Sequence, residues 1–284
     1  MLTVLEAIKL STEYLEKKGI ESPRTNAELL LAGILNCKRL DLYLSYDRPL
    51  DEDEKQNYRT FISKRGNFEP LQYILGQTEF FGLNFIVNPS VLIPRPETEI
   101  LVETIINENK HEQNITILDI GTGSGNIPVS LAKNITGLSI TSIDISEEAL
   151  KTALQNAELN SVSDKISFIK QNIFDTEVYN LGEFDIIVSN PPYVEKDEMK
   201  NLQKEIINYE PHNAVTDGGD GYKYYKRIAE VSSKLLKPKG KIYFELGIGQ
   251  SEKVTNILKE HNFANVKNIK DYQNINRVIS GEKL

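Results

Sequence analysis

Asn190-Pro191-Pro192-Tyr193 is the stretch of this chain whose residue types suit chemistry, and that chemistry concerns a poorly nucleophilic nitrogen. Prolines lack an N–H and fix φ at about −65°, so a strand that runs into them must stop. Asn190 precedes a proline and is pushed towards β or polyproline geometry. The strand upstream reads as Ile186 to Ser189, rich in Ile and Val as a covered sheet requires. Such a turn presents an amide side chain, free proline carbonyls and an aromatic ring at a strand's C-terminal end, where ligands sit in open α/β sheets. A conjugated NH2 group has its lone pair tied into a π system, as the roughly 18–20 kcal/mol amide rotation barrier shows. With both N–H bonds donating to the Asn190 side-chain carbonyl and the Pro191 backbone carbonyl, its lone pair is aimed at an electrophile. The same oxygens stabilise the positive charge that develops. Pro192 stiffens this edge, and Tyr193 is expected to stack on the flat acceptor. The reading needs an electrophile from elsewhere; alone, four residues are an ordinary loop.

The electrophile has a candidate site upstream. Asp119 opens the run Gly121-Thr122-Gly123-Ser124-Gly125 at the end of the apolar stretch Ile115–Ile120, and Asp144 closes the next such stretch. Glycines let the backbone turn and approach a ligand closely, and the following helix N-terminus favours an anionic group. An acid where Asp144 stands accepts both hydroxyls of a ribose. The pattern alone fits either NAD or S-adenosylmethionine. Asn126 stands where a dinucleotide fingerprint has glycine, which tilts the reading to S-adenosylmethionine. Its methionine carboxylate would meet the helix N-terminus, and Asp119 would favour its ammonium directly or through water. Asn172 and Ile173 follow the third strand, where the adenine is expected.

These residues need a sheet to hold them. From residue 115 strand and helix alternate, which implies a mainly parallel α/β sheet. The expected strands are Ile115–Ile120, Leu138–Ile143, Ile166–Lys170, the strand before Asn190, Lys241–Leu246, Val266–Ile269 and Asn276–Ser280. Helices are expected at Glu147–Asn160, Gly221–Leu236 and Ser251–His261, with others starting near positions 97 and 126. Residues 1–75 read as a helical bundle. Thr3 and Glu6 form a capping box, Gly19 ends the first helix, Ser22-Pro23 starts the second, and Asp51-Glu52-Asp53-Glu54 starts another. Residues 76–95 read as a β-hairpin turned at Gly82 and a proline-stiffened linker. Residues 96–284 form the catalytic domain. Arg95, in the linker, is expected either to pair with Glu97 or Glu99 or to serve substrate at the active site.

Composition narrows the class. The chain has 284 residues, 39% hydrophobic and 26% charged, as in ordinary globular proteins. A net charge of −8 argues against broad nucleic-acid binding, and the first 90 residues, with 11 Lys/Arg against 13 Asp/Glu, do not reverse it. Cys37 has no second cysteine to pair with and reads as a buried thiol. His111, His212 and His261 lack ligand-spaced partners, so no metal is expected. No apolar run reaches membrane-spanning length and no signal pattern opens the chain. A cytoplasmic, monomeric protein is expected.

Taken together, Val91-Leu92-Ile93-Pro94-Arg95-Pro96-Glu97-Thr98-Glu99, Asp119 to Gly125 and Val188 to Tyr193 resemble the bacterial peptide chain release factor glutamine N5-methyltransferases, within the class I fold that uses S-adenosylmethionine. Glu210-Pro211, the Gly218-Gly219-x-Gly221 loop and the N-terminal helices resemble that family too. The resemblance spans nearly the whole chain. It implies a Rossmann-like class I methyltransferase sheet and methylation of the glutamine in the Gly-Gly-Gln loop of release factors. It further implies cofactor binding by Gly121 to Gly125, Asp144 and Asn190, with the glutamine amide held by Asn190 to Tyr193. The helical domain would help to grip the release factor. One departure is visible: the family often carries an acidic and an aromatic residue where this chain has Asn172 and Ile173. The alternative is an adenine-N6 methyltransferase of DNA or RNA, since adenine's amino group is also conjugated. The acidic balance and the lack of a basic, aromatic-rich reading domain count against it.

Overall fold

Thr3 accepts a hydrogen bond from the Glu6 amide while the Glu6 carboxylate accepts from the Thr3 amide, so α1 (Val4–Lys17) begins on the expected capping box. This is a computed structural model that describes all 284 residues, and the chain divides into two units. The first comprises Met1–Gln77 and Gln203–Tyr209. It contains α1, α2 (Pro23–Ile34), a 3-10 turn at Arg39–Ser45, α3 (Glu52–Gly66) and α4 (Leu71–Leu75). Numbering helices in chain order, the short α8 (Lys204–Tyr209) belongs here too. Apolar stripes of Val4, Ile8, Leu15, Leu30, Leu31 and Leu42 close its core. Ser22 departs from expectation. It takes a left-handed conformation and its side chain makes no cap, so α2 starts on Pro23 alone.

Arg65 is the polar centre of this unit. Only 4% exposed, it donates to Asn26 Oδ1 at 2.7 Å and to the Glu69 carbonyl at 3.1 Å, and it also pairs with Glu205 of α8. That ion pair, the Tyr209 hydroxyl donating to the Asn67 carbonyl at 2.9 Å and Lys204 over the Phe68 ring join a segment from the middle of the sequence to the N-terminal helices. The sequence division at residue 75 did not include it.

The second unit comprises Thr78–Leu202 and Glu210–Leu284. Its hairpin pairs β1 (Gln77–Phe80) with β2 (Leu83–Ile86). Both turn residues, Phe81 and Gly82, have positive φ, as a two-residue turn matching strand twist demands. After α5 (Pro96–Asn109) come β3 (Ile115–Ile120), α6 (Asn126–Asn134), β4 (Leu138–Asp144), α7 (Glu147–Leu159), β5 (Ile166–Lys170) and β6 (Phe184–Ser189). The chain ends with α9 (His212–Val215), α10 (Lys223–Leu235), β7 (Leu236–Glu245), α11 (Ser251–Glu260), β8 (Phe263–Lys270) and β9 (Asn276–Lys283). The seven-stranded sheet runs β5-β4-β3-β6-β7-β9-β8, antiparallel only where β9 meets β7 and β8.

Successive residues of β6 feed opposite cores: Ile186 and Val188 pack on one face and Ile187 on the other. Both faces being covered, the strand reads as a continuous apolar run. Strand order reverses at β3, which has β4 on one side and β6 on the other. The C-terminal ends of these three strands therefore open at a topological switch point. Asp119, Asp144 and Asn190 are all delivered there. The strand expected from Lys241 begins instead at Leu236: β7 carries Lys237 to Gly240 opposite the single Asp185 of β6, an irregularity between the Phe184–Leu236 and Ile186–Lys241 pairs.

Candidate active site

A cavity of about 310 Å3 opens at this switch point, of the size small-molecule sites have. Its floor is the glycine loop. Gly121 and Gly123 have φ of 77° and 54°, and a Cβ on either would project into open space. The bare floor thus lets a ligand reach the backbone. Gly125 does a different job: its Cβ would meet Ala153 of α7, so its small size sets how closely loop and helix pack. Asn156 of α7 locks the same loop, accepting from the Ile86 amide at 2.6 Å and donating to the Ser124 carbonyl at 2.8 Å.

Asp144 lines the cavity as expected. One carboxylate oxygen accepts from the Gly123 amide at 3.0 Å and the other from the Ser146 amide at 2.9 Å. Burial raises its pKa, and these amides act against that shift. Thr122 and Ser124 also line the cavity. Asp119 lies deeper than a direct contact needs: it is 0% exposed and sits beneath the lining, so of the two routes expected to a ligand's ammonium the direct one is closed here. Neither of its oxygens has a hydrogen-bond partner, although the hydroxyls of Thr122 and Ser142 lie near enough to ease its charge. Burial pushes its pKa up to about 7.

Asn172 and Ile173 both line the cavity. Asn172 spends its amide on its own turn, accepting from the Phe174 amide at 3.0 Å and donating to Asp175 at 3.2 Å. Ile173 is core and wall at once. Gln171, Asn213, Ala214 and Tyr224, which the sequence reading did not single out, also line the cavity, as does Thr98 of α5. Their only signal was position, at the ends of strands or on the segments after Glu210-Pro211.

The Asn190 turn forms the opposite wall. Asn190, Pro191 and Pro192 line the cavity, and Tyr193 does not. The Asn190 Nδ2 donates to Thr98 Oγ1 at 3.2 Å, and Thr98 in turn donates to Glu245 Oε2 at 2.5 Å. Thr98 spends its one proton on the carboxylate, so only a lone pair faces Asn190. The amide must therefore present its nitrogen to Thr98, which turns Oδ1 the other way. No protein group donates to that Oδ1 or to the Pro191 carbonyl. Tyr193 differs from expectation: its hydroxyl donates to Glu245 Oε1 at 3.1 Å, and its ring packs on the sheet's core. Its carbonyl accepts from Gln250 at 2.9 Å. In this conformation Tyr193 anchors the turn and does not stack over the cavity. Burial, then the neighbouring Glu245 carboxylate, raises the pKa of its hydroxyl.

Arg95 also lines the cavity, and its partner is neither Glu97 nor Glu99. One guanidinium nitrogen donates to both oxygens of Glu210, at 2.6 and 2.7 Å. Glu99 instead accepts from the Phe81 amide at 2.7 Å. No group of three or more His, Cys, Asp or Glu is placed to hold a metal ion. No helix is long and apolar enough to cross a membrane.

Comparison with known proteins finds relatives over nearly the whole chain. The family model of the PrmC N-terminal domain matches residues 6–76, and that of the methyltransferase small domain matches residues 96–222. A release factor glutamine methyltransferase of Fusobacterium nucleatum is 41% identical over 98% of this chain and 78% of its own length. One from Flavobacterium psychrophilum is 45% identical over 88% of each chain. A methyltransferase from Pyrococcus furiosus, 22% identical, superposes with a TM-score of 0.51 over 72% of this chain and 90% of that one, which supports the fold. On its domains, its fold and its full-length likeness to these enzymes, the chain belongs to the release factor glutamine methyltransferase family.

Proposed function

We propose that this enzyme methylates the side-chain amide nitrogen of the glutamine in the Gly-Gly-Gln loop of peptide chain release factors, with S-adenosylmethionine as donor. The cradle fits that cofactor: Gly121 and Gly123 leave the backbone of the floor open, α6 starts directly behind the loop, and Asp144 stands at the end of β4. Asp144 and the glycine loop are the residues that would hold it, with Ile173 as an apolar wall. Bound there, S-adenosylmethionine supplies a methyl group made electrophilic by its sulfonium. The chain's own residues deal with the acceptor. Asn190 Oδ1 and the Pro191 carbonyl accept the two N–H bonds of the glutamine amide and draw electron density onto its nitrogen. The S–CH3 bond of the sulfonium would break as the N–C bond forms, leaving the neutral thioether S-adenosylhomocysteine; the rising charge on nitrogen would strengthen both acceptors, and one of its two protons would leave to solvent.

The observation that carries this reading is the orientation of Asn190, whose carbonyl is turned away from Thr98 by the proton count of its network. Arg95, held by Glu210 at the cavity rim, offers further N–H groups to peptide carbonyls. The helical unit, with no catalytic cluster of its own, serves as the grip on the release factor. Incubation with S-adenosylmethionine, release factor and DNA, followed by peptide mass spectrometry, tests the proposal. One methyl group on the glutamine, none on DNA, is the expected result; methylated adenine, or no methylation of release factor, would overturn it.

A further inference from the structure

One carboxylate, Glu245 at the end of β7, ties down both ends of the Asn190–Tyr193 turn. Its Oε2 reaches Asn190 through Thr98 of α5, and its Oε1 takes the Tyr193 hydroxyl directly. Glu245 is 1% exposed and does not line the cavity, so it touches neither cofactor nor acceptor. A carboxylate buried without a cation among its hydrogen-bond partners is costly to keep, and packing alone gives no reason for it.

We infer that Glu245 is a positioning residue for methyl transfer: as an anion it takes the Thr98 proton, and this fixes the Asn190 carbonyl towards the acceptor. The inference rests on the function proposed above and deepens it. The logic is one of donors and acceptors. An ionised carboxylate only accepts, so Thr98 and Tyr193 must both donate to it. Thr98 then has a lone pair left for Asn190 Nδ2. A protonated Glu245 can donate to Thr98, which frees the hydroxyl proton to face Asn190. The amide then rotates, its NH2 turns to the cavity, and a donor stands where an acceptor is needed. Other charges face the carboxyl as well. Glu97 on α5 opposes its ionisation and Arg277 on β9 favours it, while Tyr225 of α10 donates at 2.8 Å to the Glu245 backbone carbonyl. Burial dominates, and the carboxyl's pKa is pushed up to about 7. The switch between the two arrangements therefore falls near neutral pH.

Two measurements test this. In Thr98→Val the Asn190 amide loses its partner while the side chain keeps its shape. The expected kcat falls about 10- to 100-fold, the cofactor Kd stays within about twofold of wild type, and Thr98→Ser restores most of the loss. Second, side-chain amide NMR follows the Asn190 NH2 signals, assigned by their absence in Asn190→Asp. These should titrate near neutral pH in the wild type and stay fixed in Glu245→Gln, which has no proton to gain. Wild-type turnover in Thr98→Val, or the same Asn190 titration in Glu245→Gln, would overturn the inference. A wild-type enzyme that leaves release factor unmethylated would overturn the function instead, and the NMR result would still decide the role of Glu245.

Discussion

Gly125 faces Ala153 so closely that a Cβ on the glycine would sit 3.0 Å from the Ala153 Cβ and 3.2 Å from its Cα. The glycine loop thus contains two kinds of glycine, one kept small by a helix and two kept small by a cavity.

That difference is measurable. Gly125→Ala should lose about 2–3 kcal/mol of stability from overpacking and its positive φ together. Gly123→Ala, with open space around its Cβ, should lose only about 1 kcal/mol of stability. Its cofactor affinity should fall at least about tenfold, or ~1.4 kcal/mol. Urea midpoints and calorimetric titration with S-adenosylmethionine separate the two.

The Arg95–Glu210 pair gives a second test. Glu210's side chain is 1% exposed, so Arg95→Met removes a cation from beside a buried carboxylate. The expected cost is about 3 kcal/mol, read from the shift in denaturant midpoint. Release-factor KM should rise in the same variant, with the cofactor Kd little changed.

Asp119 predicts a pH dependence of stability. Its pKa in the folded state, about 7, lies above the ordinary 3.8. The stability it contributes is therefore present in full below the ordinary value and is lost as pH rises through about 7. Asp119→Asn, which stays neutral, should flatten the fall in unfolding free energy between about pH 4 and 7. An unchanged slope in a urea-denaturation series would contradict this.

In the helical unit, Arg65→Met should lower stability by about 3 kcal/mol, since three polar partners lose a buried guanidinium. The segment Lys204–Tyr209 should loosen first, seen as faster trypsin cleavage at Lys204.

What the sequence revealed was local. The Asn190 turn, the glycine loop and Asp144 each declare themselves within a few residues, because prolines, glycines and a strand-end acid have fixed consequences for the backbone. The sheet followed from the alternation of apolar runs. Relations across long separations were hidden. Thr98 and Glu245 are 147 positions apart, and Arg95 and Glu210 are 115 apart; only folding brings them together. Of the two readings offered for Arg95, pairing with Glu97 or Glu99 is not what forms, because a nearby acid in sequence need not be near in space, while its place at the cavity is met. Tyr193 and Asp119 were placed at the right strand ends, but burial decides which side chains reach a cavity, and a linear motif does not encode depth. Helices α4, α8 and α9 are too short to show a period.

The central claim is that Asn190 grips the acceptor amide, and a paired measurement on Asn190→Ala tests it most directly. Single-turnover methyl transfer to release factor is set beside the equilibrium Kd for S-adenosylmethionine. Transfer should slow by about 10²–10³-fold, with the cofactor bound within about threefold of the wild-type Kd. Transfer at the wild-type rate, or a loss matched in full by weaker cofactor binding, would contradict the account.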